Sequence, residues 1–379
     1  MLKPKLLYFF YYAAMASLLP FLVLYYAQLG LSGQQIGVLS ALLPVMTLLS
    51  VPLWSAASDT TGRYRAFMLL TVGGTLALTL LTSSVTTYFG LLTSVGALAF
   101  FVAPIMPLAD HSVLTLLQQK HRYGTLRLWG AVGWGVAAPL AGLLVEYGVR
   151  WAFVLAALLL GLLWGVVVRL PTPEKRSQRG GGGVRQFITP VWSGFLLTAF
   201  VGGVGLAVSG NFLYLHMADL GIRAPLVGLA LTVATLSEIP IFFFAGYLLR
   251  RYAAPTLLVT ALAAFAVRLF LYSLIVSPWL LLSVQVLHGP TFSLLWIAGV
   301  AYADSLAPEG LGATAQGLFA TMVMGWGGIV GALVGGVLYD GVGAAAMFRW
   351  TAAGILTCLA VALWILYRNR TTGPQKELL

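Results

Sequence analysis

Long apolar runs separated by short polar connections make up almost the whole chain. A helix needs about 20 apolar residues to cross the hydrocarbon core of a bilayer, and each run reaches that length. Lipid offers no partner for backbone polar groups, so only helices and closed barrels cross it, and runs this uniformly apolar predict helices. The twelve predicted spans are residues 6–29, 35–57, 65–85, 88–117, 125–147, 151–170, 188–217, 225–249, 254–276, 278–302, 312–339 and 344–367.

One polar stretch interrupts this pattern between the sixth and seventh spans. Residues 171–187 are basic and contain four consecutive glycines, which predicts a flexible cytoplasmic linker between two six-helix bundles, residues 1–170 and 188–379, the second with a short tail. The sequences of the two halves are weakly similar: Gly37 and Gly228 lie near the start of the second span of each half, at an offset of 191 residues. Two pseudo-symmetric all-α halves are typical of transporters whose binding site lies between the repeats near the midplane.

Composition and charge narrow the class of protein. Of the 379 residues, 60% are hydrophobic and only 8% are charged, against about 25% in soluble domains, so neither a soluble enzyme nor a nucleic-acid binder fits. Most of the 21 lysines and arginines fall in connections on one side, and the positive-inside rule predicts that both termini lie on the cytoplasmic side of the cell inner membrane. The single cysteine, Cys358, leaves no pair for a disulfide or a CxxC metal site. We expect no cofactor and a monomeric chain.

Five ionisable residues within the predicted spans are singled out as candidates: Asp110, Arg127, Glu238, Arg268 and His288. A charge in hydrocarbon costs at least about 2.5 kcal/mol by insertion scales, so it normally faces the bundle interior and has a partner. Asp110 and Arg127 lie at similar depth on spans joined by a short loop, so they could meet. Glu238 lies about 16 Å from the cytoplasmic end of its span, whereas Arg268 and His288 lie about 12 and 15 Å from the outer ends of adjacent spans. Either these residues serve transport, or they form ion pairs and polar networks that only hold helices together.

Aromatic and amide side chains within the spans supply further candidates. Tyr12, Trp134 and Trp296 could line a pocket for a flat or ring-shaped solute. Asn211 and Gln316 could form hydrogen bonds with the same solute. Most aromatic residues in membrane helices are instead core residues or interfacial belt residues, so the simpler interpretation stays open.

Several motifs resemble the major facilitator superfamily. The loop after the second span, SAASDTTGRYR at residues 55–65, is similar to the GxxxDRxGRR loop of that family and departs from it at Ser55 and Thr60. The start of the fifth span, YGTLRLWGAVGW at residues 123–134, resembles the branch that contains lactose permease, nucleoside permeases and phenylpropionate permeases. Three further motifs look closest to the phenylpropionate-permease-like group: SEIP at 237–240, LHGPTF at 287–292 and TAQG at 314–317.

This resemblance implies roles in substrate binding and in gating. Asp110 and Arg127 match residues that contact substrate in lactose permease, so a substrate role is implied for both. An ion pair that only joins two helices is the simpler interpretation. The loop signature implies conformational gating, with anchoring at the cytoplasmic surface as its alternative. The implied gating residues are Asp59, Gly62, Arg63 and Arg65.

The resemblance also points to proton coupling in the second half. The spacing of 20 residues between Arg268 and His288 resembles an arginine and a histidine that take part in proton coupling in lactose permease. Thr291 stands where that protein has a glutamate, so another carboxyl has to carry the proton. Glu238 is the first choice for this carboxyl and Asp110 is the second.

Together these observations favour a secondary transporter that moves a small organic solute by alternating access. No GxxxxGK[ST] motif and no HExxH pattern is present, which argues against an ATP-driven pump and an intramembrane enzyme, and a receptor is also less favoured. Titratable groups within the spans favour proton symport, and the solute class is open among aromatic carboxylates, sugars and nucleosides. The main alternative is a proton-coupled efflux antiporter for drugs or metabolites. The expected partners are the solute, protons and the lipid bilayer, and not nucleic acid.

Overall fold

The computed structural model describes residues 2–116, 123–171, 189–308 and 311–372. Helices account for nearly all of these residues, and no strand occurs among them. The predicted linker lies outside the described residues, apart from residue 171. The helices are α1 (Leu2–Gln28), α2 (Gly33–Thr61), α3 (Tyr64–Thr82), α4 (Tyr88–Val102), α5 (Ile105–Leu116), α6 (Tyr123–Val145), α7 (Arg150–Val168), α8 (Pro190–Asp219), α9 (Ala224–Phe243), α10 (Ala245–Arg251), α11 (Ala254–Tyr272), α12 (Pro278–Val284), α13 (Leu294–Leu306), α14 (Gly312–Ala320) and α15 (Gly327–Thr372).

Within the described ranges, eleven helical stretches are long and apolar enough to cross a membrane. The last of them, Thr314–Val361, has 48 residues, about twice the length that one span needs. Gly343 interrupts it with a φ of 78°, a left-handed conformation that ends a helix. The stretch therefore holds both the eleventh and the twelfth span. This confirms the prediction of an all-α membrane protein with twelve spans.

Four spans are not single regular helices, which the apolar pattern alone does not predict. The fourth span consists of α4 and α5 with a break at Pro104, and the eighth consists of α9 and α10 with a break at Phe244. The tenth runs from α12 through a 3₁₀ turn, Gln285–Leu287, and a π-helical turn, Gly289–Ser293, into α13. The eleventh contains a second π-helical turn, Thr321–Trp326, between α14 and α15. Such π-helical turns frequently lie at functional sites.

Local sequence sets both ends of α2. Ser32 precedes it and forms a capping box with Gln35, because each side chain accepts a hydrogen bond from the backbone N–H of the other residue, at 3.3 and 3.0 Å. At the other end, Gly62 has a φ of 69° and donates its N–H to the carbonyl oxygen of Ser58 at 2.8 Å. The loop signature at residues 55–65 therefore lies at the end of this helix.

Contacts between span ends define two faces of the molecule. At the face that carries the N-terminus, Lys3 Nζ donates to the carbonyl oxygen of Arg169 at 2.7 Å. At the opposite face, the hydroxyl of Tyr25 donates to the carbonyl oxygen of Val85 at 2.8 Å. Successive spans alternate in direction between these faces, as short connections require. We refer to the two ends as the N-terminal face and the opposite face.

Two glycines bring the halves of the chain together near the opposite face. A Cβ at Gly37 in α2 would collide with the carbonyl oxygen of Ala332 in α15, and one at Gly228 in α9 would collide with that of Ala138 in α6. Small residues allow helices to approach this closely in a membrane. The second span of each half thus packs on the fifth span of the other half, which explains the sequence echo between the two glycines.

Candidate functional site

Tyr8, Tyr12, Asp110 and Arg127 form the first of two polar clusters, named here the Asp110 cluster. Arg127 Nη1 lies 3.5 Å from Asp110 Oδ2. Tyr8 donates its hydroxyl to Asp110 Oδ1 at 2.7 Å, and Arg127 Nη2 donates to the hydroxyl of Tyr12 at 3.3 Å. The two tyrosines are four residues apart on α1 and so lie on one face of that helix. Helices α1, α5 and α6 together position the four side chains.

The Asp110 cluster is partly accessible although it lies between helices. Arg127 is four residues from the start of α6, about 6 Å along the helix axis from its end at the N-terminal face. The side chains of Arg127 and Asp110 are 46% and 24% exposed. Charged residues in membrane spans almost always face the bundle interior or a water-filled cavity. The structure therefore brings the two residues together at a partly exposed position, while their part in binding stays a prediction.

A second polar cluster lies between α9, α11 and the tenth span, and we name it the Glu238 cluster. His288 Nε2 lies 3.2 Å from Glu238 Oε1, and Arg268 Nη1 lies 2.8 Å from His288 Nδ1. Arg268 is only 3% exposed. Burying a charge removes its hydration, which is costly, so a buried guanidinium needs several hydrogen-bond acceptors in the protein. The guanidinium donates to three further side chains: Tyr272 at 2.6 Å, Gln285 at 3.0 Å and Thr291 at 3.1 Å.

These contacts determine which nitrogen of His288 carries the hydrogen. A guanidinium has donors only, so His288 Nδ1 accepts the hydrogen bond from Arg268. The neutral ring then carries its hydrogen on Nε2, which faces Glu238. A doubly protonated ring would direct an N–H at the guanidinium, so the geometry favours a neutral histidine between a carboxylate and a cation. A role of Glu238 in proton coupling stays a prediction.

A close helix contact holds the eighth and tenth spans together at this point. The backbone N–H of Gly289 donates to Ser237 Oγ at 2.9 Å, and a Cβ at Gly289 would collide with the carbonyl oxygen of Ser237. Glu238 follows Ser237 in the chain and His288 precedes Gly289, so the contact brings these two side chains side by side. Thr291 is fully buried, and its hydroxyl oxygen accepts a hydrogen bond from Arg268 Nη1.

The two tryptophan candidates lie in different surroundings. Trp296 belongs to a row of rings that starts at His288: Phe292 stacks on that imidazole with centroids 5.5 Å apart. The ring of Trp296 lies 6.0 Å from that of Phe292 and 5.5 Å from that of Phe319. Trp134 packs instead against small buried residues of α1 and its own helix and against α9, at the boundary between the halves.

The two amide candidates have separate positions. Gln316 lies near the start of α14, where its Nε2 is 3.5 Å from Asp304 Oδ1. Asn211, in α8, lines a cavity of about 110 Å³ together with residues of α1, α2 and α4. The structure thus places Gln316 beside a carboxylate at the N-terminal face and Asn211 at the boundary between the halves.

Asp59 of the loop signature is held by an aromatic neighbour. It accepts a hydrogen bond from the hydroxyl of Tyr64 at the start of α3. The ring of Tyr64 stacks on His111, with centroids 4.3 Å apart. Because His111 follows Asp110 in α5, this stack connects the loop to the helix that carries the Asp110 cluster.

The other three residues of the loop signature lie at helix ends. Gly62 ends α2, and Arg63 directly precedes α3 with its backbone N–H 3.4 Å from Thr61 Oγ1. Arg65 Nη1 donates to the carbonyl oxygen of Leu170 at 3.4 Å, which joins α3 to the end of the sixth span. All of these contacts lie within the first half of the chain. A gating role for the loop stays a prediction.

Polar contacts across the two halves close the opposite face, and we name them the end lock. The carboxylate of Asp340 in α15 accepts hydrogen bonds from the backbone N–H groups of Gly33 at 2.5 Å and Gln34 at 2.8 Å, at the start of α2. Helix N-termini stabilise anions through unpaired N–H groups and the helix dipole. Arg223, just before α9, forms an ion pair of 2.6 Å with Glu146, just after α6. Both contacts join one half to the other.

Sequence reasoning missed several of these residues as site members. Tyr272 and Gln285 are uncharged, so no large cost of burial singles them out within a span. Asp340 lies at a span end, where a carboxylate is ordinary, and only the unsatisfied N-terminus of α2 could have suggested its partner.

Comparisons with known proteins agree with this architecture. The sequence model of the protein family described as "MFS_1 like family" matches residues 1–350 of this chain. Maltose permease of Geobacillus stearothermophilus is 26% identical over 378 residues, which covers 98% of this chain and 96% of that protein. The probable 3-phenylpropionic acid transporter of Escherichia coli (strain K12) is 28% identical over 311 residues, covering 78% and 80%. The solved structure of the nucleoside transporter NupG has a TM-score of 0.84 at 16% identity over 96% of this chain and 98% of that chain, so it shows a shared fold.

Proposed function

Because the chain belongs to the MFS_1-like family of major facilitator transporters, we propose that it moves a neutral, polyhydroxylated solute of the sugar class together with protons by alternating access. The family makes the chain a multi-pass membrane transporter and not an enzyme. The solute class, the coupling to protons, a monomeric state and cytoplasmic termini in the inner membrane are parts of the proposal.

The proposal of a neutral, sugar-class solute rests on one observation: Arg127 and Arg268, the two arginines of the polar clusters, already have carboxylate partners. Arg127 pairs with Asp110, and Arg268 is joined to Glu238 through His288. Each cluster is therefore close to neutral, and an anionic solute would have to displace a carboxylate from its cation. The hydroxyl groups of a sugar instead add hydrogen bonds to an existing ion pair and need no net charge. The similarity to a maltose permease supports the same class.

Alternating access is supported by the unequal state of the two faces. The end lock joins the halves at the opposite face, whereas the Asp110 cluster, which lies nearer the N-terminal face, is partly exposed. With the N-terminal face in the cytoplasm, as the charge bias predicts, this is a state that receives or releases solute on the cytoplasmic side. Rocking of the halves against each other exposes the site to the other side.

Proton coupling is assigned to Glu238. A proton on this carboxyl removes the charge that faces the Nε2–H of His288 and leaves the buried cation of Arg268 without its anion. The contacts that join α9, α11 and the tenth span then change in strength. A protonation that changes these contacts differently in the two states of the transporter couples proton binding to their equilibrium.

Uptake into proteoliposomes tests both the solute class and the coupling. Labelled maltose, uridine and 3-phenylpropionate are offered separately, with and without an inward proton gradient. We expect maltose to accumulate only when the gradient is present. Accumulation of 3-phenylpropionate without sugar uptake contradicts the solute class, and solute exit driven by the inward gradient indicates an antiporter.

The variant Glu238→Gln tests the coupling residue. Glutamine keeps the shape of the side chain but cannot take up a proton, so we expect loss of gradient-driven accumulation while exchange of labelled for unlabelled solute persists. Asp219→Asn is the matched control, because Asp219 accepts its hydrogen bond from Tyr339 at the opposite face, away from the Glu238 cluster. Full accumulation by Glu238→Gln removes this residue from the coupling role.

A further inference from the structure

A cavity of about 110 Å³ lies between the halves on the inner side of the end lock. Helices α1, α2 and α4 of the first half line it together with α8 of the second half. The walls are mostly leucine and valine, and none of the lining residues is charged. The lining residues that carry hydrogen-bonding side chains are Tyr26, Ser40 and Asn211.

Depth along the helices separates this cavity from the Asp110 cluster. Ser40 is seven residues after Gly33, and Asn211 is eight residues before the end of α8, so these two lining residues lie about 10 to 12 Å below the opposite face. Val102 is the last residue of α4 that lines the cavity, and Asp110 follows it by eight residues. Asp110 therefore lies about 12 Å beyond Val102 along the fourth span, toward the N-terminal face. The cavity and the Asp110 cluster are therefore two distinct positions between the faces.

Two hydroxyl groups in this cavity have no partner within the described protein. The side-chain oxygens of Tyr26 and Ser40 are buried, and neither makes a protein hydrogen bond. Buried polar groups are normally satisfied, so such hydroxyls mark a place for a ligand or an ordered water. Both hydroxyls can donate and accept, and the amide of Asn211 supplies a donor and an acceptor. Since no charge is present, the complementary ligand is an uncharged hydroxyl group.

We propose that this cavity is a second solute subsite, which receives a hydroxyl group of the solute when the solute loads from the opposite face. The inference rests on the proposed function. Because Asn211 of the second half covers a cavity that is otherwise lined by the first half, separating the halves at the opposite face widens the cavity and exposes the hydroxyls of Tyr26 and Ser40. The solute contacts these hydroxyls first and then reaches the Asp110 cluster as the end lock closes.

The test measures the KM for uptake in right-side-out membrane vesicles, with maltose and with its monodeoxy analogues. Tyr26→Phe and Ser40→Ala each remove one hydroxyl and keep the shape of the side chain. We expect each to raise the KM for maltose about three- to tenfold, since one neutral hydrogen bond is lost. For the deoxy analogue that lacks the hydroxyl recognised by Tyr26 or Ser40, the KM of the variant should equal that of the wild type.

Two further variants sharpen the test. Ser94→Ala is the matched control, because Ser94 is buried in α4 near the cavity but donates to the carbonyl oxygen of Leu91 in its own helix. Its KM should not change. Ala99→Leu fills the cavity without removing a hydrogen-bonding group, and it should raise the KM for maltose and for every analogue alike.

The outcomes separate this inference from the proposed function. A wild-type chain that takes up no maltose overturns the proposed function and this subsite with it. Normal wild-type uptake with an unchanged KM in Tyr26→Phe and Ser40→Ala overturns the subsite alone. An equal rise of the KM for maltose and every deoxy analogue in these two variants also overturns it, because the hydroxyls then serve the fold or an ordered water.

Discussion

Removing the charge of Asp340 should open the opposite face more often. Its carboxylate accepts hydrogen bonds from Gly33 and Gln34, and a hydrogen bond to a charged group contributes about 1.5 to 3 kcal/mol, against about 1 kcal/mol for a neutral one. Asp340→Asn replaces two charge-assisted bonds with one neutral bond. Because Asp340 is exposed, we take a loss of about 2 kcal/mol, at the lower end of the range. This loss corresponds to roughly thirtyfold in the equilibrium between closed and open states.

The alkylation rate of a cysteine behind the end lock reports the open fraction. Cys358→Ser removes the single native thiol, and Ser40→Cys then places a thiol in the cavity on the inner side of the lock. A membrane-impermeant maleimide added at the opposite face reacts in proportion to the open fraction when reclosing is faster than reaction. We expect Asp340→Asn to raise this rate roughly thirtyfold, as calculated from the lost hydrogen bonds.

A control variant separates the lock from a general effect of surface charge. Asp219→Asn also removes a carboxylate at the opposite face, but Tyr339, its partner, belongs to the same half of the chain. Its labelling rate should match that of the unmodified background. The reasoning about Asp340 is refuted if Asp340→Asn leaves the rate unchanged, or if both variants raise it equally.

Three further variants test other parts of the structure. Arg127→Lys should weaken solute affinity, because an ammonium group cannot contact two partners with separate planar nitrogens; unchanged equilibrium binding favours a role in holding helices together. Gly228→Ala should lower the free energy of unfolding by about 1 to 3 kcal/mol, because the added Cβ overpacks the helix contact. Gly210→Ala is its control: the added Cβ meets open space, so this variant should raise the free energy of unfolding by up to about 1 kcal/mol. Thermal unfolding in detergent compares the two variants. Gln285→Leu should cost about 3 kcal/mol by leaving a buried guanidinium short of an acceptor, and a wild-type unfolding temperature contradicts that.

The number of spans could be predicted from the sequence, because runs of about 20 apolar residues are long enough to cross the hydrocarbon core as helices. The breaks inside spans could not be predicted in the same way. The π-helical turn after His288 depends on the approach of Gly289 to Ser237, 52 residues earlier in the chain, and no local pattern reports such a contact. The apolar pattern predicts two separate runs on either side of Gly343, which agrees with the left-handed glycine found there.

Charged members of the site were predictable, and their uncharged partners were not. Arg268 is conspicuous because a cation within a span is costly, whereas Tyr272 and Gln285 become important only through their bonds to it. The sequence left the solute class open among aromatic carboxylates, sugars and nucleosides. The pairing of Arg127 and Arg268 in space supports the proposal of a neutral solute, because Asp110 and Glu238 already balance their charge.

The π-helical turn of the tenth span has a consequence for how this chain tolerates changes in length. A turn of this kind holds one residue more than a regular helix would, and each residue of an α-helix advances by about 100° around the axis. Deleting a single codon between Gly289 and Ser293 would restore regular winding and leave the residues after the turn in nearly the same orientation relative to His288, because only the extra residue is lost. A deletion in a regular part of the span, such as Leu294–Leu306, would instead rotate everything after it by about 100°.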